Sequence, residues 1–199
     1  MTRDLRVCFL GDSLVAGVGD RSGLGWPGRL TARSYAAGQP LTPYNLGVRG
    51  ATSPQIRARW RAECEPRLPS GTDARVALSC GVNDTHVLDG ARRVPLAVSV
   101  ETVTALLAEF AEAGLPALVV GPPAVRDPAH NEAIAELDAA FAAVCATAGV
   151  EYVPVYAALG ASAAWMAEVA AIDGAHPGAA GYDELAALIA PRWDRFVTA

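Results

Sequence analysis

Five short runs of β-branched and apolar residues, separated by longer stretches of helical periodicity, restrict this chain more than any other property of its sequence. The runs are Arg6 to Leu10, Leu41 to Asn45, Ala74 to Ser79, Pro116 to Val120 and Glu151 to Val155. The third and fourth are apolar on both faces, as strands are when helices cover each side. From Ser99 onward, Val100, Val103, Leu106, Leu107 and Phe110 recur at helical spacing, and Gly114 supplies a stop. Asp127 and Pro128 read as the N-cap and first-turn proline of another helix, with Ile134, Leu137, Phe141 and Val144 on its apolar stripe and Gly149 at its end. A last helix places Tyr182, Leu185, Leu188, Ile189, Trp193 and Phe196 on one side. Such alternation predicts a parallel sheet with right-handed crossovers, hence a three-layer α/β/α sandwich. With 199 residues, 52% of them apolar, and no visible repeat or linker, the expectation is one domain spanning 1–199.

Charge and cysteine usage narrow the function classes. Sixteen basic residues, all Arg, face 21 acidic ones, giving a net charge of −5. An acidic chain without a basic cluster is a poor nucleic-acid surface, because phosphate binding needs concentrated positive charge. The apolar stretch from Leu5 to Leu10 runs straight into Gly11-Asp12-Ser13, so a secretory signal is not expected. Leu115 to Val125 is about half the length of a membrane span and contains Gly121-Pro122-Pro123, so stable membrane insertion is not expected. Cys8, Cys64, Cys80 and Cys145 are scattered, with no Cys-x-x-Cys pair and no zinc-ligand spacing. Buried, reduced thiols and a cytoplasmic location are the expectation.

In open parallel sheets, ligands bind outside the carboxyl ends of the strands. Four polar blocks fall there or just before the last helix. They are Gly11-Asp12-Ser13-Leu14, Asn45-Leu46-Gly47-Val48-Arg49-Gly50-Ala51-Thr52, Gly81-Val82-Asn83-Asp84 and Asp173-Gly174-Ala175-His176-Pro177. Together they supply a hydroxyl, a glycine backbone, an amide and a carboxylate–imidazole pair. A serine hydroxyl is inert until a base takes its proton, and imidazole is the side chain suited to that near neutrality. Ser13 is the candidate nucleophile, His176 the base, and Asp173 the carboxylate that fixes the imidazole's tautomer and stabilises the imidazolium. Backbone N–H groups of Ser13 and Gly50 with the Asn83 amide are candidate donors to an oxyanion.

These blocks, in this order from Gly11 to His176, resemble those of the SGNH, or GDSL, hydrolase superfamily. The resemblance implies the Ser, Gly, Asn and His roles on Ser13, Gly50, Asn83 and His176, with Asp173 completing a triad. It also implies a flavodoxin-like five-stranded sheet of order 2-1-3-4-5 and ester hydrolysis without metal or other cofactor. Gly47 is the competing choice for the glycine; Gly50 is preferred from its place before Ala51-Thr52-Ser53. The partner implied is a small-molecule ester. An acyltransferase or a thioesterase could use the same triad. A noncatalytic flavodoxin-like nucleotide or flavin binder is the reading from another class. Natural substrate and oligomeric state stay open.

Several tempting residues have plainer readings. Gly23-Leu24-Gly25-Trp26-Pro27-Gly28 matches G-x-G-x-x-G but does not directly follow the first strand, and no acidic residue lies between Ser34 and Ala62 to hold a ribose. It reads as a flexible loop, with Trp26-Pro27 opening a helix, able to cover or uncover a cleft. His86 reads as a solvated loop residue and His130 as a surface residue of a first helical turn. Asp12, Asp84 and Asn45 read as loop braces, and Cys80 as packing. On the substrate side, Leu14, Val48, Pro122, Pro123 and Val125 lie near strand ends, and their apolar character favours an acyl or aryl group. Little chain is available for a deep lid, so small or single-chain esters are expected.

Overall fold

The computed structural model describes residues 3–199. Its first strand, β1 (Leu5–Gly11), sends side chains alternately to opposite faces, and both faces are buried. Val7 and Phe9 enter one core, Cys8 and Leu10 the other. A one-turn helix, α1 (Ser13–Ala16), follows directly, then α2 (Gly25–Ala36), β2 (Thr42–Gly47), α3 (Ser53–Cys64) and β3 (Asp73–Ser79). After another single turn, α4 (Val82–Thr85), a small antiparallel hairpin forms from β4 (Val87–Leu88) and β5 (Ala91–Arg92). The chain continues through α5 (Leu96–Glu112), β6 (Ala117–Val120), α6 (Pro128–Ala148) and β7 (Glu151–Val153). It ends in α7 (Tyr156–Ala161), α8 (Ala163–Ile172) and α9 (Ala179–Thr198).

The five larger-sheet strands are all parallel, in spatial order β2-β1-β3-β6-β7, which is 2-1-3-4-5 by position in the sequence. Helices cover both faces, giving the expected three layers. On one face, α2, α8 and α9 close over Phe9, whose ring stacks on Trp193 at 5.4 Å and meets Trp26 edge-on at 5.5 Å. On the other, α3, α5 and α6 bury Ile56, Trp60, Phe110 and Phe141, with Trp60 edge-on to Phe110 at 4.9 Å. Burying each such large apolar side chain is worth on the order of 2–3 kcal/mol. All four cysteines are buried and unbridged.

Helix ends follow the sequence signals. The Asp127 side chain accepts from the Ala129 N–H at 2.9 Å, Pro128 occupies the first turn, and Gly149 ends α6 at φ +66°. α5 begins three residues earlier than Ser99, on Pro95. In the glycine-rich segment, the helix opens one residue before Trp26-Pro27. The segment is knitted around the buried Asp20 carboxylate, which accepts from the Ser22 N–H (2.9 Å), the Ser22 hydroxyl (2.8 Å) and the Gly25 N–H (2.8 Å), and pairs with Arg29. α2 therefore starts at Gly25, and Trp26 is core. The physical reason is a single buried carboxylate gathering donors from both ends of the turn. Among the described residues, no helix is long and apolar enough to cross a membrane.

Candidate active site

The site is assembled at the carboxyl ends of β1, β2 and β3 and on the turn between α8 and α9. At the end of β1, Asp12 caps α1, its Oδ1 accepting from the Leu14 N–H at 2.9 Å, and this presents Ser13 on the first helical turn. The loop after α1 is tied to α9 by the Tyr182 hydroxyl, which donates to the Val18 carbonyl at 2.9 Å. That contact brings the start of the chain beside its last turn. There, Gly174 N–H donates to Val169 carbonyl and Arg126 N–H to Gly174 carbonyl, each at 2.8 Å, fixing the loop that carries Asp173 and His176.

His176 stands between the two other candidates. Its Nε2 lies 2.7 Å from Ser13 Oγ and its Nδ1 lies 2.7 Å from Asp173 Oδ2. The other Asp173 oxygen accepts from the N–H groups of Ala175 (3.0 Å) and His176 (2.9 Å). Burial acts to raise the Asp173 carboxyl, but the imidazole and these two amides outweigh it and leave it below its ordinary value. The carboxylate thus stays charged beside the ring.

Asn83 sits on α4 with its amide held at both ends. Nδ2 donates to Asp12 Oδ2 at 3.0 Å, and Oδ1 accepts from Arg93 at 3.5 Å. Asp12 is fully buried, and desolvation pushes its carboxyl up to about 7 even though the Leu14 and Asn83 N–H groups pull the other way. Asp84 locks the neighbouring loops together: its carboxylate accepts from the Ser53 N–H (2.8 Å), the Ser53 hydroxyl and the Ser99 hydroxyl (2.7 Å). Asn45 braces α1 against β2, donating to the Val15 carbonyl at 2.8 Å.

The two competing glycines occupy different environments. A Cβ on Gly47 would run into the Ala16 backbone and the Asp12 carbonyl, so that glycine serves close packing. Gly50 faces open space at φ +74°, and its carbonyl accepts from Arg93 at 3.1 Å. Among the described residues, neither the Ser13 nor the Gly50 N–H meets a backbone acceptor.

A cleft of about 690 Å³ opens beside Asn83 and Asp173. Its walls include Val82, His86, Arg93, Val125, Arg126 and His130. Of the apolar residues expected at the substrate side, Val125 lies here. Leu14 is core, Pro122 and Pro123 are buried, and Val48 is exposed but outside this lining. The wall is accordingly more polar than the sequence suggested, with Arg93 and Arg126 set against Asp127 and Asp173. His86 is exposed, as expected, yet borders the cleft, its ring 5.6 Å from that of His130. His130 is not a free surface residue: its Nε2 lies 2.9 Å from Thr85 Oγ1 and 3.1 Å from the Val82 carbonyl, because the first turn of α6 leans on α4. Burial lowers its pKa. No group of three or more potential metal ligands occurs among the described residues.

A family model, described as the GDSL-like Lipase/Acylhydrolase family, matches residues 9–184. The chain belongs to that family. Its fold is shared with GDSL hydrolases of known structure. The lipase/acylhydrolase from Enterococcus faecalis superposes with a TM-score of 0.77 at 22% identity, over 96% of each chain. TesA gives 0.77 at 23% identity, over 96% of this chain and 99% of its own. Axe2, an acetylxylan esterase from Geobacillus stearothermophilus, gives 0.75 at 17% identity, over 99% and 95%. Comparison with curated proteins finds no match to the sequence. As a GDSL-like acylhydrolase, the protein is an ester-hydrolysing enzyme. What the sequence did not expose in this GDSL-family site is Arg93. The Asp89-Gly90 dipeptide between Val87-Leu88 and Ala91-Arg92 does carry a hairpin signal, but not the reach of the next side chain.

Proposed function

We propose that the protein is a serine esterase cleaving carboxylic esters through an acyl-enzyme. One observation carries the reading: a single imidazole, His176, within 2.7 Å of both Ser13 Oγ and Asp173 Oδ2. Ser13 Oγ attacks the carbonyl carbon as its proton passes to His176 Nε2. The carbon–oxygen bond to the leaving group then breaks, and the departing alkoxide takes that proton. Water attacks the acyl-Ser13 ester with His176 again as base, releasing the acid and restoring the hydroxyl. Asp173 keeps Nδ1 protonated and stabilises the imidazolium formed in each half-reaction.

The developing oxyanion meets the Ser13 N–H, the Gly50 N–H and the Asn83 side-chain N–H not engaged by Asp12. Donors set in advance cost no reorganisation when charge appears, and losing one typically costs about 100- to 1000-fold in turnover. Small or single-chain acyl esters suit the accessible cleft, and the structural relatives include an acylhydrolase and an acetylxylan esterase. A fluorophosphonate probe combined with p-nitrophenyl acetate turnover tests the reading. Wild-type protein labels and hydrolyses the ester, and Ser13→Ala does neither. Labelling that survives in Ser13→Ala, or faster turnover of long-chain triglyceride emulsions than of short soluble esters, would refute the corresponding part.

A further inference from the structure

We infer that Arg93 is a positioning residue that holds the Gly50 and Asn83 donors in register, an inference that rests on the esterase reading above. Its Nη2 donates to the Gly50 carbonyl at 3.1 Å and its Nη1 to Asn83 Oδ1 at 3.5 Å. One guanidinium therefore spans the two loops, after β2 and after β3, that present these donors. The planar fork of Arg suits two acceptors at once, whereas an ammonium offers only a compact point charge.

The backbone under this side chain is well anchored. Arg93 N–H donates to the His86 carbonyl at 2.9 Å and Val94 N–H to the Asp84 carbonyl at 3.0 Å. Asp89 and Gly90 turn the hairpin at φ +51° and +80°, and Arg92 pins it to α6 through Glu136 at 2.6 Å. The side chain thus works from a fixed base, and its reach is set by the fold.

What it does there follows from the donor inventory of an amide. Asn83 has two N–H groups and one carbonyl oxygen. One N–H is taken by Asp12 Oδ2 at 3.0 Å, and the oxygen faces Arg93. Reversing the amide would set its N–H₂ against the Arg93 cation and, when Asp12 is ionised, its oxygen against a carboxylate. The Arg93 end therefore selects one orientation in either charge state of Asp12, which leaves one N–H for a ligand. The terminal torsion of Asn has broad, two-fold preferences, so orientation must come from its partners. At Gly50, a residue free to rotate, Arg93 fixes the carbonyl side of a backbone whose N–H is the other donor. The guanidinium also withdraws charge from the amide oxygen, which strengthens the remaining N–H as a donor.

Steady-state kinetics on the neutral ester p-nitrophenyl acetate test this. Arg93→Ala is expected to lower kcat about 10- to 100-fold, the scale of a misplaced catalytic contact, with KM nearly unchanged, because the loss is confined to the transition state. Millimolar guanidinium added to Arg93→Ala restores part of the rate, and Arg93→Lys falls between Ala and wild type. Arg92→Ala, which loosens the hairpin from α6 but keeps the guanidinium at 93 and the backbone bonds under it, loses much less than Arg93→Ala. Unchanged kcat in Arg93→Ala, an effect confined to KM, or an equal loss in Arg92→Ala overturns the inference. A loss seen only with anionic esters also overturns it, since Arg93 would then be a substrate-charge receptor. Wild-type turnover and Ser13-dependent labelling report on the esterase reading separately. Intact labelling with an indifferent Arg93→Ala sinks this inference alone.

Discussion

Two aspartates in one site illustrate how surroundings assign work to identical side chains. Asp12, at the end of β1, is wholly buried and its carboxyl is pushed up to about 7 by desolvation. Asp173, on the turn before α9, has a side chain 42% exposed and a pKa lowered by the His176 ring and two amides. The first can carry a proton near neutrality and still accept hydrogen bonds from Leu14 and Asn83. The second stays anionic and is suited to a partner that becomes cationic. Environment, not residue type, suits one to bracing and the other to serving as a counter-charge.

The contrast is open to attack by substitution and by pH. The largest effect is expected from Asp173→Asn, which should lower kcat by about ten-thousand-fold while the thermal midpoint barely moves. A variant keeping most of its rate would shift the carboxylate role elsewhere. Next comes the pH dependence of stability. Asp12 binds a proton in the folded state up to about 7, whereas the unfolded chain releases it near 3.8. Its contribution is therefore fully present below about pH 4 and is lost as pH rises through 7, by up to about 4 kcal/mol. Urea unfolding across that window should show Asp12→Asn lacking this decline; parallel curves for the two proteins would contradict it. The same variant turns a donor toward Asn83 Nδ2 and should lower kcat by about 10- to 100-fold, measured with p-nitrophenyl acetate. Smallest is the acid-side effect of Asp173. Its lowered pKa gives a stabilisation present above pH 3.8 and lost as pH falls further, a modest one because solvent screens the group. Melting curves of Asp173→Asn and wild type should converge at the acid end.

The sheet was legible because both faces of its strands are apolar and each crossover helix carries a clear stripe or cap. The second strand, half-exposed at the sheet edge, was the faintest, and it runs from Thr42 to Gly47 where Leu41 to Asn45 was expected. The Ser13, Asp173 and His176 cluster was legible because strand ends fix where chemistry-bearing residues converge. Side-chain direction was not. Leu14 and the Pro122-Pro123 pair lie next to strand ends but are buried, and none of them lines the cleft beside Asn83. Choosing between Gly47 and Gly50 needed the neighbouring backbone, since only space distinguishes them. Arg93 lies 10 residues from Asn83 and 43 from Gly50, and no local pattern announces a bridge of that kind.

Asp173 and His176 share one short turn, whereas Ser13 lies 163 residues away in the chain. Acid partner and imidazole thus travel as a prefabricated cassette, and only one distance remains for the tertiary structure to set. On the proposed mechanism, slippage of the terminal helix against the opening strand would disarm the enzyme in a single stroke, before either core has melted. Inactivation on warming should consequently precede loss of helical signal, with the cassette itself still intact.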